Sequence, residues 1–115
     1  MYFDKNGEST NKKPSISGYG VYVNDENPTT NRCINQGYWQ YDFTKYLSFG
    51  LSSDLQIDKK STTSLLKSLV FISETQKLFI EPYLKHSLSL ENESKIRFHG
   101  CQAVRHDDHI HLQIK

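Results

Sequence analysis

The chain has 115 residues, room for one small domain with a real but limited core. Hydrophobic residues make up 36% and charged residues 23%, a globular rather than a disordered balance. With 14 Lys and Arg against 13 Asp and Glu the net charge is only +1, which gives no field to recruit nucleic acid or an anionic membrane.

Met1-Tyr2-Phe3 reads as a strand stub that stops at the turn Asp4-Lys5-Asn6-Gly7, the tail of a strand rather than a signal peptide. A polar loop is expected to about residue 17. Residues 18–23 (GYGVYV) are β-prone, with Tyr19, Val21 and Val23 on one face and Tyr22 on the other. Residues 24–37, with Pro28 and several Asn and Thr, read as a second loop. Asp42 can cap a helix over 42–51 whose apolar positions are Phe43, Tyr46, Leu47 and Leu51.

The clearest helix spans 61–72. Leu65, Leu66, Leu69 and Val70 form its apolar stripe, while Lys67 and Ser68 face water. Residues 74–76 make a short break before an expected strand at 77–80. Pro82 suits the first turn of another helix carrying Leu84 and Leu88 on one face. Residues 91–95 are charged and expected to be exposed. No repeat, linker or membrane-length apolar run interrupts the chain. Strands and helices mix without a βαβ rhythm, which predicts an α+β fold: a small, mostly antiparallel sheet with flanking helices.

The chemistry gathers at the C-terminal end. Of five histidines, four (His99, His106, His109 and His111) lie within thirteen residues of each other. From His109 to Ile114 polar and apolar residues alternate. A strand there would show His109, His111 and Gln113 on one face and bury Ile110, Leu112 and Ile114 on the other. Neighbouring imidazoles can converge on one metal ion, or one can bind metal while the next moves protons. His106 can lean over the same site from the strand entrance. The bland alternative is a solvated polar face. Asp107 and Asp108 can orient imidazole N–H groups or simply form a turn.

His106-x-x-His109-x-His111, followed by an alternating strand, resembles the C-terminal motif of the penicillin-insensitive murein endopeptidases. These belong with the lysostaphin-type, D-Ala-D-Ala carboxypeptidase and hedgehog-like zinc peptidases. The resemblance covers roughly residues 41–114, including the order helix (Leu65-Leu66-Lys67-Ser68-Leu69), strand (Leu78-Phe79-Ile80), helix (Pro82-Tyr83-Leu84-Lys85) and histidine strand. It implies that His111 is a Zn2+ ligand, that His109 serves as general base or transition-state stabiliser beside the attacking water, and that His106 is a further catalytic histidine. It also implies hydrolysis of peptide cross-links in bacterial peptidoglycan by a periplasmic or exported protein.

The family draws two more ligands from an upstream HxxGxxxD, which does not occur in this sequence. The chain is therefore expected to be a single partial peptidase domain, a fragment or a degenerate descendant, with weak zinc binding. A non-catalytic cell-wall or metal-binding module is the alternative. A metal-dependent nuclease is disfavoured by the near-neutral charge.

Other residues read as structural before functional. His86 and His99 stand outside the motif, on an exposed helix face and in a loop. Cys33 and Cys101 can form one disulfide or remain two buried thiols. Tyr38, Trp39 and Tyr41 suit a small core better than a substrate groove, and Arg97 and Arg105 suit the surface better than a carboxylate site.

Overall fold

The computed structural model describes residues 1–12, 28–38, 55–103, 106 and 108–115. The expected strand at 18–23, the expected helix at 42–51, and Trp39, Tyr41, Arg105 and Asp107 lie outside them. The described residues have an α+β fold with two three-stranded sheets and three helices.

Strand β1 (Tyr2–Phe3) ends where expected, in a turn built by Asp4. The Asp4 carboxylate accepts the backbone N–H groups of Asn6 (2.8 Å) and Glu8 (3.0 Å), and Gly7 supplies the positive φ of +78°. The turn returns the chain as β2 (Ser9–Thr10), a hairpin strand inside the stretch expected to be loop. Strand β3 (Gln56–Ile57) pairs on the other edge of β1, antiparallel like β2.

Helix α1 (Pro28–Asn35) corrects the expectation of a loop at 24–37. Proline opens it, and its closing is a Schellman motif: Gly37, at φ +85°, donates to the Ile34 carbonyl and Tyr38 to the Cys33 carbonyl. Cys33 is fully buried.

Helix α2 (Lys59–Phe71) begins two residues earlier than the stripe suggests. Asp58 caps it by accepting the Ser61 N–H at 3.0 Å, and the Asp58 N–H donates to the Met1 carbonyl, tying this helix to the first sheet. Leu66 is the buried centre of the expected stripe, Leu69 and Val70 are half-buried, and Leu65 sits at its exposed margin.

Strand β4 (Thr75–Phe79) lies against α2 and takes in residues expected to form a break. It is the central strand of the second sheet, with β5 (Ile96–Arg97) parallel on one side and β6 (His111–Ile114) antiparallel on the other. The parallel pair is joined through α3 (Pro82–Ser87), which starts at proline as expected. Two lysines lock this crossover. Lys85 Nζ donates to the carbonyls of Glu93 (3.0 Å) and Ile96 (2.7 Å), and Lys95 Nζ donates to those of Val70 (2.9 Å) and Ile72 (3.1 Å) at the end of α2. Lys95 is thus half-buried rather than fully exposed.

The core joins Leu66 of α2, Leu78 and Ile80 around the end of β4, Leu84, Leu88 and Leu90 around α3, and Ile96 of β5. Alternation puts Leu78, Ile96 and Leu112 on this face of the sheet. The paired residues Phe79 and His111 share the other face.

The C-terminal strand departs from expectation in two ways. It begins at His111, so His109 is not on it. Leu112 and Ile114 are 41% and 64% exposed rather than buried, while Ile110, just before the strand, packs against the core. Alternation fixes which side each residue faces, but burial needs a layer over that side. Among the described residues β6 is an edge strand, and the core covers β4 and β5 rather than its far end.

Candidate metal centre

Phe79 organises the histidine face. Its buried ring stacks on His99 with centroids 4.3 Å apart and meets the edge of His111 at 5.4 Å. His111 is there because it pairs with Phe79 across β4 and β6. His99 follows β5 by two residues, in a loop where Gly100, at φ +102°, turns the chain. The disulfide between Cys33 and Cys101 holds that loop to α1, and Gln102 Nε2 donates to the Tyr38 hydroxyl at 2.9 Å.

His106 enters from below and is 3% exposed. Glu81, itself buried, clamps its backbone in both directions. The Glu81 N–H donates to the His106 carbonyl at 3.1 Å, and the His106 N–H donates to Glu81 Oε1 at 3.0 Å. The clamp holds the backbone and leaves the imidazole to face His99 and His111, with ring centroids at 5.1 and 5.5 Å.

These three histidines can hold a metal ion. One nitrogen from each of His99, His106 and His111 lies within 4.8 Å of the others. His106 Nε2 and His111 Nδ1 are 3.4 Å apart. Two nitrogens at about 2.05 Å from a tetrahedral zinc are separated by about 3.3 Å, so this pair already has the spacing of a shared ligand edge. Closing the third side requires a movement of at most about 1.5 Å, within reach of rotation of an exposed imidazole. Neutral imidazoles suit zinc, and also copper, nickel and iron, so the donors do not choose the metal by themselves.

His106 is held in the neutral form that a ligand must adopt. Burial, followed by the neighbouring His109, His99 and His111, lowers its pKa to about 4, against a smaller opposing pull from Asp108. The metal-free chain should therefore lose stability in acid. The unfolded chain takes up this proton near pH 6.5, whereas the folded chain resists until about pH 4. Stability present above pH 6.5 is thus lost as pH falls through that window, by up to about 3 kcal/mol. Urea unfolding of wild type and His106→Gln at several pH values measures it. Equal slopes for the two proteins between pH 6.5 and 4 would disprove the assignment.

Beside the triad, His109 forms a second unit. Its Nδ1 is 2.7 Å from Asp108 Oδ1, and the Asp108 side chain is 1% exposed against 26% for His109. A carboxylate only accepts, so Nδ1 carries the hydrogen and Nε2 is the basic nitrogen of the neutral ring. The His109 ring centroid is 4.8 Å from that of His106. Together with Asp108 these two histidines also line a cleft whose other wall includes Leu66, Leu84 and Ile110.

His111, His106 and His109 thus lie together, as their spacing suggests, but His106 sits in the converging group with His111. His99, read as a loop residue, completes that group. Nothing local marks it; the signal that could have found it is Cys101, two residues away and bonded to Cys33. His86 is exposed beside Glu91 at 2.6 Å, away from the site, and Arg97 turns its Nε to the Ser94 carbonyl.

Glu81→Gln should largely preserve the clamp, because an amide oxygen still accepts the His106 N–H. Glu81→Ala should strand that buried donor, at a cost of about 1–3 kcal/mol. Denaturant midpoints of the two variants check this, and an equal loss in both would point to the charge rather than the hydrogen bond.

No family model, curated protein or solved structure matches this chain.

Proposed function

We propose that His99, His106 and His111 hold a zinc ion, and that the chain is catalytic sequence of a zinc-dependent endopeptidase cleaving peptide cross-links of bacterial peptidoglycan. The convergence of three imidazole nitrogens within 4.8 Å carries the reading. Three protein ligands are what a catalytic zinc needs, because a fourth position stays open to water or substrate. Zinc, when bound, polarises a carbonyl oxygen and makes water a stronger acid. The residues around it supply the remainder. Asp108 fixes the tautomer of His109, and His109 Nε2 can take a proton from an attacking water and return it to the departing amine. Phe79 and His106 are buried beneath the group, which lowers the local dielectric on that side of it.

Peptidoglycan as substrate rests on the motif His106-x-x-His109-x-His111 and its resemblance to the murein endopeptidases. The Cys33–Cys101 disulfide supports an exported or periplasmic location, since such bonds persist in oxidising compartments.

Calorimetric zinc titration of the oxidised chain, followed by assay of muropeptides released from cross-linked peptidoglycan, tests the proposal. One zinc per chain with muropeptide release is the expected result. Zinc binding without release would leave a metal-binding module, and no zinc binding would remove both readings.

A further inference from the structure

We propose that the Cys33–Cys101 disulfide positions His99, so that the metal site assembles only when these cysteines are oxidised. The inference rests on the metal site proposed above, and concerns how its third ligand is delivered.

The three ligands are secured very differently. His111 is held by strand pairing to Phe79, and His106 by both hydrogen bonds of the Glu81 clamp. His99 lies beyond the last residue of β5, Arg97, and is exposed. Its ring stacks on Phe79, an attraction too weak to fix a loop on its own. Among the described residues, the loop after it carries a turn from Ala103 N–H to the Gly100 carbonyl, the Gln102–Tyr38 hydrogen bond and the disulfide at Cys101. The turn is internal to the loop and cannot place it. The other two ties both run to the end of α1, and only one is covalent. Cys33, at the other end of the covalent tie, is fully buried.

Reduction by a cellular dithiol breaks the S–S bond, leaves two thiols on the chain and oxidises the dithiol to its own disulfide. His106 and His111 keep their supports in that state, whereas His99 loses its strongest one. A two-histidine site remains, and it binds metal more weakly. The consequence is an order of events: in a reducing compartment the chain carries little metal, and it loads zinc after oxidation. The partner this implies is a thiol–disulfide oxidoreductant acting before metal insertion.

Competition with a chromophoric chelator gives the zinc dissociation constant of the oxidised chain, of the chain reduced with a phosphine, and of Cys33→Ser/Cys101→Ser. The serine variant removes any binding by freed thiols. Reduction or double substitution should weaken binding by about 10–100-fold, the range seen when the support of a metal ligand is removed. The same comparison in a His99→Ala background separates a local effect from loss of the whole fold. Because His99 is already absent there, removing the disulfide should change zinc affinity by less than about 2-fold. Equal affinity of the oxidised and reduced wild-type chains would overturn the inference and leave the metal site standing. A fall that persists in the His99→Ala background would overturn it too, by showing that the disulfide acts on the fold at large. If the oxidised chain binds no zinc, the metal reading falls and this inference with it.

Discussion

On the proposed function, His109→Ala is expected to retain zinc binding and lose about 10²–10⁴-fold in the rate of peptidoglycan hydrolysis, whereas His111→Ala should lose zinc binding and activity together. The contrast follows from where the two rings stand. His111 Nδ1 is 3.4 Å from His106 Nε2, the separation of two nitrogens on one ion, so its removal leaves two ligands where three converge. His109 turns its Nδ1 to Asp108 instead, which orients it for proton transfer rather than for the converging group. His106→Ala should behave like His111→Ala, because His106 belongs to the triad. The sequence motif alone would place it among the catalytic histidines and expect a milder effect on metal. Zinc content and turnover measured on the same purified variants decide among these outcomes. Zinc lost from His109→Ala but kept by His111→Ala would reverse the two roles.

The parts of this fold that were legible in the sequence are those where one local rule decides the conformation. Leu66 and Leu69 with their neighbours mark α2, proline marks the start of α3, and Asp4 with Gly7 marks the first turn. Helix α1 was missed although its signal is present. Pro28 just inside the start and Gly37 just past the end are a helix frame, but Thr29, Thr30, Asn31 and Asn35 between them have low intrinsic helix preference. Strand β5 could not be read at all. Two residues within a charged stretch carry no period, and Ile96 is a strand residue because Lys85 and Leu78 hold it.

The site divides along the same line. His106, His109 and His111 are neighbours in sequence, and spacing brings them under suspicion at once. Which of them converge is a different matter. The strand period puts His109 and His111 on one face only if both lie on the strand, and the bend at Asp108 takes His109 off it. His99 joins through a parallel strand, which leaves no local trace, and through a covalent bond whose mark near residue 99 is Cys101 alone, which does not say what it pairs with.

Cys33→Ser/Cys101→Ser is expected to cost the metal-free protein about 4 kcal/mol, chiefly by freeing its unfolded state. The bond closes a loop with a sequence separation of 68, more than half of the 115-residue chain, and the chain-entropy relation gives about 4 kcal/mol for a loop of that length. That is a large fraction of the roughly 5–15 kcal/mol by which domains are normally stable. Without the cross-link the unfolded chain expands, so the dependence of stability on denaturant should steepen as the midpoint falls. The second sheet should survive in the folded variant. Its pairings of Leu78 with Ile96 and Leu112 do not pass through either cysteine, and its core of Leu66, Leu84, Leu90 and Ile96 is closed within residues 66–96. Urea unfolding followed by tyrosine fluorescence, with amide exchange at Leu78 and Ile96, measures both parts. A loss under about 1 kcal/mol would overturn the unfolded-state account, and an unprotected Leu78 amide in the folded variant would show that the sheet depends on the bond.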